Sequence, residues 1–276
     1  MKKIASLVAC AALVASFGLF GCSSPAPSAA SSSSSSASAD VTAAEYTLVT
    51  PGTLTVATSP DYPPFESLEG EEFVGFDIAL AKAVAEELGL TAEFKNLQFD
   101  TICTAVAAGG QADIGISGFS VDPERELTID FTSSYYVDNL SVATMTSNTE
   151  VTEENAKETL NQPEVTIAVQ SGTTGETYVQ ENFPNAKVQP YGNSNDAFAA
   201  MQAGQATAVC TNKAVVEKML SQAYTDAHVV LNIATGEDYA IVSSKDNPEL
   251  TKAINEAIAK LEANGTIEAL IAEYLG

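Results

Sequence analysis

The chain contains one arginine, Arg125, and its surroundings are typical of a site that binds a carboxylate. Arg125 follows a predicted strand end at 116–120, and a guanidinium fork holds a carboxylate by two parallel hydrogen bonds. Further along, residues 171–174 (SGTT) precede a predicted helix, whose free N–H groups attract anions. Together these two features would clamp one carboxylate. The alternative is a surface salt bridge from Arg125 to Glu124 or Glu126.

The composition excludes several other kinds of site. The chain has one histidine, His228, and no tryptophan. A single histidine cannot build a histidine cluster for zinc or copper, and no nucleophile motif flanks it. The formal net charge of −24 repels phosphate groups and anionic lipid heads. We therefore predict no metal, no cofactor and no nucleic-acid partner.

Hydrophobic periodicity predicts the elements that position Arg125. Short β-branched runs alternate with helical segments over few connecting residues, which indicates a parallel sheet flanked by helices. The predicted elements are a strand at 54–58, a helix that Asp77 caps and Gly89 closes, a strand at 92–96, a helix from Asp100 to Gly109–Gly110, and a strand at 112–117.

A similar order of elements recurs later in the chain. It comprises a strand at 165–169, a helix from about Thr174, a strand at 186–190, a helix at 196–204 and a strand at 205–212, before a strand at 239–243 and helices at 248–263 and 266–274. We therefore predict an α/β protein of two lobes with a cleft between them. Lobe 1 comprises 46–138 plus 238–276 and lobe 2 comprises 139–237, joined by crossover segments near 136–141 and 232–238.

The N-terminus is typical of an exported lipoprotein. Lys2 and Lys3 precede an apolar run at 4–20, which is short for a spanning helix and ends in the lipobox-like sequence LFGC. Residues 1–21 are therefore predicted to be a signal peptide and Cys22 a lipidated N-terminus, the alternative being an uncleaved anchor. The Ser-, Ala- and Pro-rich stretch within 22–45 is predicted to be a flexible tether.

Two cysteines, Cys103 and Cys210, remain in the globular part. Both lie in apolar runs, one in a predicted helix of lobe 1 and the other in a predicted strand of lobe 2. We predict that they are free thiols that pack as small hydrophobic side chains.

Several motifs, in order, resemble those of the polar amino-acid-binding proteins of bacterial ABC importers, the family 3 extracellular solute-binding proteins. The resemblance covers about 230 residues, from roughly Tyr46 to Gly276, and the ordered set is far more specific than any one motif. The motifs are TSPDYPPF at 58–65, GFD at 75–77, QFD at 98–100, SGFSVDPER at 117–125, IDFT at 129–132, QSGTT at 170–174 and NGT at 264–266.

This resemblance implies a two-lobed periplasmic-binding-protein fold of type II and a role for individual positions. Tyr62 and Phe99 match the aromatic pair around the ligand side chain, and Gln170 matches a position near that side chain. The positions that match groups around the ligand's carboxylate and ammonium are Gly118, Ser120, Arg125, Thr173, Thr174 and Asn212.

The sequence departs from the family at Asn212, where family members usually carry an aspartate that neutralises the ligand's α-ammonium group. An asparagine can accept a hydrogen bond there but carries no charge. Either another group compensates the ammonium charge, or the ligand is not a plain α-amino acid.

Taken together, the N-terminal features and the resemblance predict an extracytoplasmic lipoprotein, monomeric and lipid-anchored at the cell surface or in the periplasm. It would capture an amino acid or related small carboxylate by hinge closure and deliver it to ABC permease subunits, without catalysis. Two alternatives stay open: a ligand-sensing receptor, and a cyclohexadienyl-dehydratase-like enzyme on the same fold.

Overall fold

Two five-stranded sheets organise residues 46–276, the part of the chain that the structure, a computed structural model, describes. The predicted signal peptide (1–21), the lipidated Cys22 and the tether to residue 45 lie outside the described residues. No helix within 46–276 combines the length and apolar character that a bilayer span requires.

The described residues form thirteen strands, eight α-helices and one short 3-10 helix at Arg125–Leu127. The strands are β1 (Thr53–Thr58), β2 (Asp61–Tyr62), β3 (Glu66–Glu69), β4 (Glu72–Val74), β5 (Thr91–Asn96), β6 (Ile114–Gly115), β7 (Ile129–Phe131), β8 (Tyr136–Met145), β9 (Thr166–Gln170), β10 (Lys187–Tyr191), β11 (Ala208–Asn212), β12 (Ala227–Tyr239) and β13 (Val242–Ser244). The helices are α1 (Phe76–Glu87), α2 (Phe99–Ala108), α3 (Ala156–Thr159), α4 (Thr174–Asn182), α5 (Ser194–Gln202), α6 (Lys213–Gln222), α7 (Pro248–Ala263) and α8 (Thr266–Tyr274).

The sheet of the first lobe has the order β5-β1-β6-β13-β7. Strand β1 pairs in parallel with β5 and β6, whereas β13 runs antiparallel to β6 and β7. Successive residues of β1 face opposite sides of the sheet: Val56 packs into the cluster that includes α1 and α7, and Ala57 packs into the cluster under α2. Helices therefore cover both faces, as the βαβ pattern predicted.

The sheet of the second lobe has the order β10-β9-β11-β8-β12. Strands β9, β10 and β11 are parallel, and the long strands β8 and β12 run antiparallel to each other at one side of the sheet. Their far ends pair Tyr136 with Tyr239 and Asp138 with Glu237, after a register shift between Ile233 and Glu237. These strands follow the predicted crossover segments and connect the two lobes.

The predicted elements match the structure in type, but three details were wrong. Helices α7 and α8 have the predicted bounds, whereas the strand predicted at 112–117 shortens to β6, and β12 and β13 divide the strand predicted at 239–243. Periodicity also missed the small β2-β3-β4 sheet, since its strands are two to four residues long. Cys103 and Cys210 are free, as predicted.

Asp77 does not cap α1, which is a further correction to the prediction. Gly75 holds the cap position with φ +122°, where a Cβ atom would come within 2.3 Å of the carbonyl oxygen of Phe65. The carboxylate of Asp77 instead points into the core, where it accepts the N–H of Gly118 at 2.7 Å and the hydroxyl of Tyr135 at 3.0 Å. Asp77 therefore anchors the loop that follows β6.

A second buried carboxyl group, that of Glu66, lies beside Asp77. Burial and the negative charge of Asp77 raise the pKa of Glu66 well above its usual value, and burial raises the pKa of Asp77 to about 6. The Oε2 atom of Glu66 and the Oδ1 atom of Asp77 are buried and have no hydrogen-bond partner. Burial and mutual repulsion therefore favour the protonated forms of these two carboxyl groups.

The raised pKa of Asp77 gives folding a specific pH dependence. Between about pH 4, near the pKa of an unfolded aspartate, and pH 6, the folded protein binds more protons than the unfolded chain. The free energy of unfolding contributed by this group is therefore present below pH 4 and lost as the pH rises through 6. We expect Asp77→Asn to flatten this decline in urea titrations at pH 4, 5, 6 and 7. The control is Asp246→Asn, at an exposed position, and an equally steep decline in Asp77→Asn would contradict the assignment.

Candidate functional site

One cavity between the two lobes brings all nine sequence-predicted positions together. Its solvent-accessible volume is about 10 Å³, room for about one water molecule, so the two lobes enclose the site tightly in this structure. Strand ends and helix N-termini of both lobes supply its walls. The lining residues are Tyr62, Phe99, Gly118, Ser120, Arg125, Gln170, Thr173, Thr174 and Asn212, together with Ser59, Glu66 and Ser117, which sequence reasoning did not propose.

The guanidinium of Arg125 lies across the boundary between the lobes. It donates from Nη1 to the carbonyl oxygen of Ser120 at 2.8 Å and from Nη2 to that of Gly172, in the second lobe, at 2.9 Å. Its central carbon lies 5.4 Å from the ring of Phe99 and 5.5 Å from the ring of Phe119. Those rings stack on each other with centroids 4.6 Å apart, so the aromatic pair fixes the plane of the guanidinium.

Arg125 has no acidic partner among the described residues. The four salt bridges of residues 46–276 join lysines to carboxylates elsewhere on the protein, which excludes the surface pairing with Glu124 or Glu126. Instead, Asp122 accepts the backbone N–H of Glu124 and of Arg125, which shapes the loop that presents the arginine. The positive charge in the cleft is therefore available to an anion.

The N-terminus of α4 faces this cavity, but fewer of its N–H groups are free than the sequence predicted. Thr173 caps the helix by accepting the N–H of Glu176 at 3.2 Å, and the N–H of Gly172 donates to the carboxylate of Glu176 at 2.8 Å. In the described part of the chain, the N–H groups of Thr173 and Thr174 have no hydrogen-bond acceptor. Of the backbone N–H groups at 171–174 that were expected to bind an anion, only those of these last two residues are therefore free.

Tyr62 connects the two lobes through its hydroxyl group. Its oxygen lies 2.7 Å from the hydroxyl of Thr211 and donates to the Oδ1 atom of Asn212 at 2.6 Å. The Tyr62 side chain is buried, and burial raises its pKa, so it stays a neutral donor. The amide oxygen that sequence reasoning assigned to a ligand's ammonium therefore already accepts a hydrogen bond from Tyr62.

Glu237, on the β12 end that crosses between the lobes, is the polar residue that sequence reasoning missed. Its Oε2 atom accepts the hydroxyl groups of Ser120 and Thr174, the latter at 2.8 Å, and the amide Nδ2 of Asn212 at 3.1 Å. Its residue type gave no signal in so acidic a chain. Its place inside the predicted crossover segment 232–238 was the one available clue.

Gly118 and Gln170 complete the cavity. Gly118 has φ +56°, and a Cβ atom there would lie 3.2 Å from the ring of Tyr239 and 3.3 Å from that of Tyr62. A side chain at this position would therefore crowd the cavity wall. Gln170, at the end of β9, places its Nε2 atom 3.5 Å from the carboxylate of Asp61 across the boundary. Asp61 also accepts the N–H of Ser194 at the start of α5.

Comparison with known proteins identifies the family. The model of the bacterial extracellular solute-binding proteins, family 3, matches residues 54–276. The chain belongs to this family.

Similar proteins include binding proteins of transporters. The ABC transporter arginine-binding protein 1 of Escherichia coli (strain K12) is 30% identical over 227 residues, which cover 79% of this chain and 88% of the relative. An ancestral arginine-binding protein bound to glutamine is 32% identical, with a TM-score of 0.76, over 82% of this chain and 99% of that structure. The ancestral amino acid-binding protein AncCDT-1, a precursor of cyclohexadienyl dehydratase, is also 32% identical, with a TM-score of 0.73, over 82% and 96%.

The bonds of Tyr62 across the lobe boundary lead to a prediction about stability. Tyr62→Phe keeps the ring but leaves the buried polar groups of Thr211 and Asn212 without their partner. We expect the free energy of unfolding to fall by about 1–3 kcal/mol in urea titrations. Tyr178→Phe, whose half-buried hydroxyl makes no hydrogen bond in the structure, should change it by less than about 0.5 kcal/mol. Equal small effects of both substitutions would mean that the hydroxyl of Tyr62 does not hold the lobes together.

Proposed function

We propose that this protein captures one amino acid in the cavity between its lobes and delivers it to the permease subunits of an ABC transporter. The observation that carries the proposal is the unpaired guanidinium of Arg125, held at the cavity between the lobes. A charge in a closed cleft is costly unless it is paired, so the cleft favours a small anion such as an α-carboxylate.

The proposed mechanism is hinge closure of the two lobes around the ligand. Strands β8 and β12 supply the connections, and bending at their shared ends moves one lobe against the other. Arg125 of the first lobe and Thr174 of the second reach the same cavity, so closure completes the set of groups that hold a carboxylate. The closed form would then present a surface from both lobes to the permease.

The proposed location is outside the cytoplasmic membrane. Removal of the signal peptide at 1–21 and lipidation of Cys22 would anchor the chain, and the tether within 22–45 would let the lobes move beside the membrane. The protein would work there as a monomer that meets the permease subunits, with no cofactor.

Relatives support an amino acid as the ligand class. The named relatives are arginine-binding or amino-acid-binding proteins, and one structure holds glutamine. The experiment is a thermal-shift screen of the protein against the common amino acids, followed by calorimetry. A ligand at about 100 times its Kd stabilises the folded state by about 2.7 kcal/mol. If no amino acid raises the melting temperature, the proposed function is wrong.

A dehydratase on the same fold is the second candidate, because Glu66 lines the cavity and burial and the negative charge of Asp77 raise its pKa well above the usual value. A buried neutral carboxyl group at a cavity wall is a candidate general acid. We expect binding without catalysis. The assay follows prephenate and arogenate with the purified protein by chromatography, and turnover of either compound would favour the enzyme.

The role of Arg125 gives the direct test of carboxylate binding. Arg125→Ala leaves the ligand's carboxylate unpaired in the closed cleft, at a cost of about 2–5 kcal/mol. We expect the Kd of the tightest amino acid from the screen to rise about 30- to 5,000-fold, measured by calorimetry. The control Lys252→Ala removes a surface cation that pairs with Glu249, and its Kd should not change. A change below threefold in Arg125→Ala would exclude the carboxylate role.

A further inference from the structure

Glu237 is an acidic residue beside the cavity, and it has no positively charged partner in the described part of the chain. Three donors from both lobes converge on its Oε2 atom: the hydroxyls of Ser120 and Thr174 and the amide of Asn212. All three donors are neutral. No lysine or arginine nitrogen of the described residues lies within 4 Å of the Glu237 carboxylate. This carboxylate therefore has hydrogen bonds but no counter-charge.

The Oε1 atom of Glu237 is the group available to such a cation. No hydrogen bond within residues 46–276 ends on it. The residue opposite Glu237 in the strand pair is Asp138, whose own negative charge further disfavours an unpaired carboxylate at this place. A positively charged ligand group next to Oε1 would balance this negative charge.

Arg125 and Glu237 form a matched pair of opposite charges on either side of Ser120. The guanidinium donates to the carbonyl oxygen of Ser120, and the carboxylate accepts the hydroxyl of the same residue. An α-amino acid carries a carboxylate and an ammonium on one carbon atom. The two unpaired side chains therefore have the sign and the arrangement that its main-chain groups require.

Asn212 is turned so that it supports Glu237. Its Oδ1 atom accepts from Tyr62, and its Nδ2 atom donates to Glu237. The reversed amide would place its oxygen against the Glu237 carboxylate, which removes that hydrogen bond and sets two acceptors against each other. The amide therefore orients the carboxylate.

We propose that Glu237 receives the ligand's α-ammonium group and that Asn212 positions Glu237 for this task. The inference rests on the proposed function and names the group that recognises one end of the amino acid. The negative charge that the family resemblance implies at position 212 stands instead on strand β12. Since β12 joins the lobes, ammonium recognition takes place at the hinge itself.

The experiment compares wild type with Glu237→Gln by calorimetry, using L-arginine, L-glutamine and L-histidine. The glutamine side chain keeps an acceptor for Ser120 and Thr174 but turns an amide N–H₂ group towards the ammonium. We expect the Kd of every binding amino acid to rise about 10- to 150-fold. The matched control is Glu217→Gln, which removes the same charge from an exposed salt bridge on α6 and should leave the Kd unchanged.

A double variant tests the position of the charge. Asn212→Asp combined with Glu237→Gln exchanges the acid and the amide, so the net charge is kept and the introduced amide can donate to the introduced carboxylate. We expect this variant to bind at least about threefold more tightly than Glu237→Gln alone, because the ammonium regains a negative partner. Thermal unfolding without ligand verifies that each variant is folded.

Each outcome decides the proposal. An unchanged or lower Kd in Glu237→Gln overturns it. A lower Kd would mean that the Glu237 carboxylate occupies the place where the ligand's carboxylate binds. A raised Kd without recovery in the double variant also overturns the assignment to the ammonium group. If wild type binds none of the three amino acids nor any other in the screen, the proposed function fails, and this inference fails with it.

Discussion

The guanidinium of Arg125 imposes the constraint around which the cleft is arranged. A single positive charge lies between two lobes without a carboxylate partner, fixed by two carbonyl oxygens and two aromatic rings. A charge removed from water is tolerated when polar groups and a counter-ion surround it. The cleft provides the polar groups through Ser120 and α4, and a bound carboxylate would provide the counter-ion.

The two lobes depend on each other because each holds half of the polar contacts. Tyr62 and Asp61 of the first lobe form hydrogen bonds with Asn212 and Ser194 of the second. Hydrogen bonds of this kind are individually worth about 0.5–1.5 kcal/mol, because water replaces them when the lobes separate. Contacts of this strength suit reversible closure.

The sequence predicted most of the fold because the helices and parallel strands are long and strongly patterned. Hydrophobic periodicity predicted the bounds of α7 and α8, and the nine residues selected through the family resemblance all line one cavity. The inward turn of Asp77 could not be predicted, since an aspartate at a helix start ordinarily caps it. The role of Glu237 was also hidden, because which of 36 acidic residues faces the cleft depends on the register shift in β12. Both depend on tertiary contacts rather than on local pattern.

The central claim is that the cleft recognises the paired charges of an α-amino acid through Arg125 and Glu237. The most direct measurement is a crystal structure with the tightest-binding amino acid of the screen. The account expects the carboxylate of the amino acid to accept hydrogen bonds from Arg125 and its ammonium to donate to Glu237. An amino acid whose carboxylate lies away from Arg125, or whose ammonium faces Asn212 while Glu237 turns out of the cleft, would contradict it.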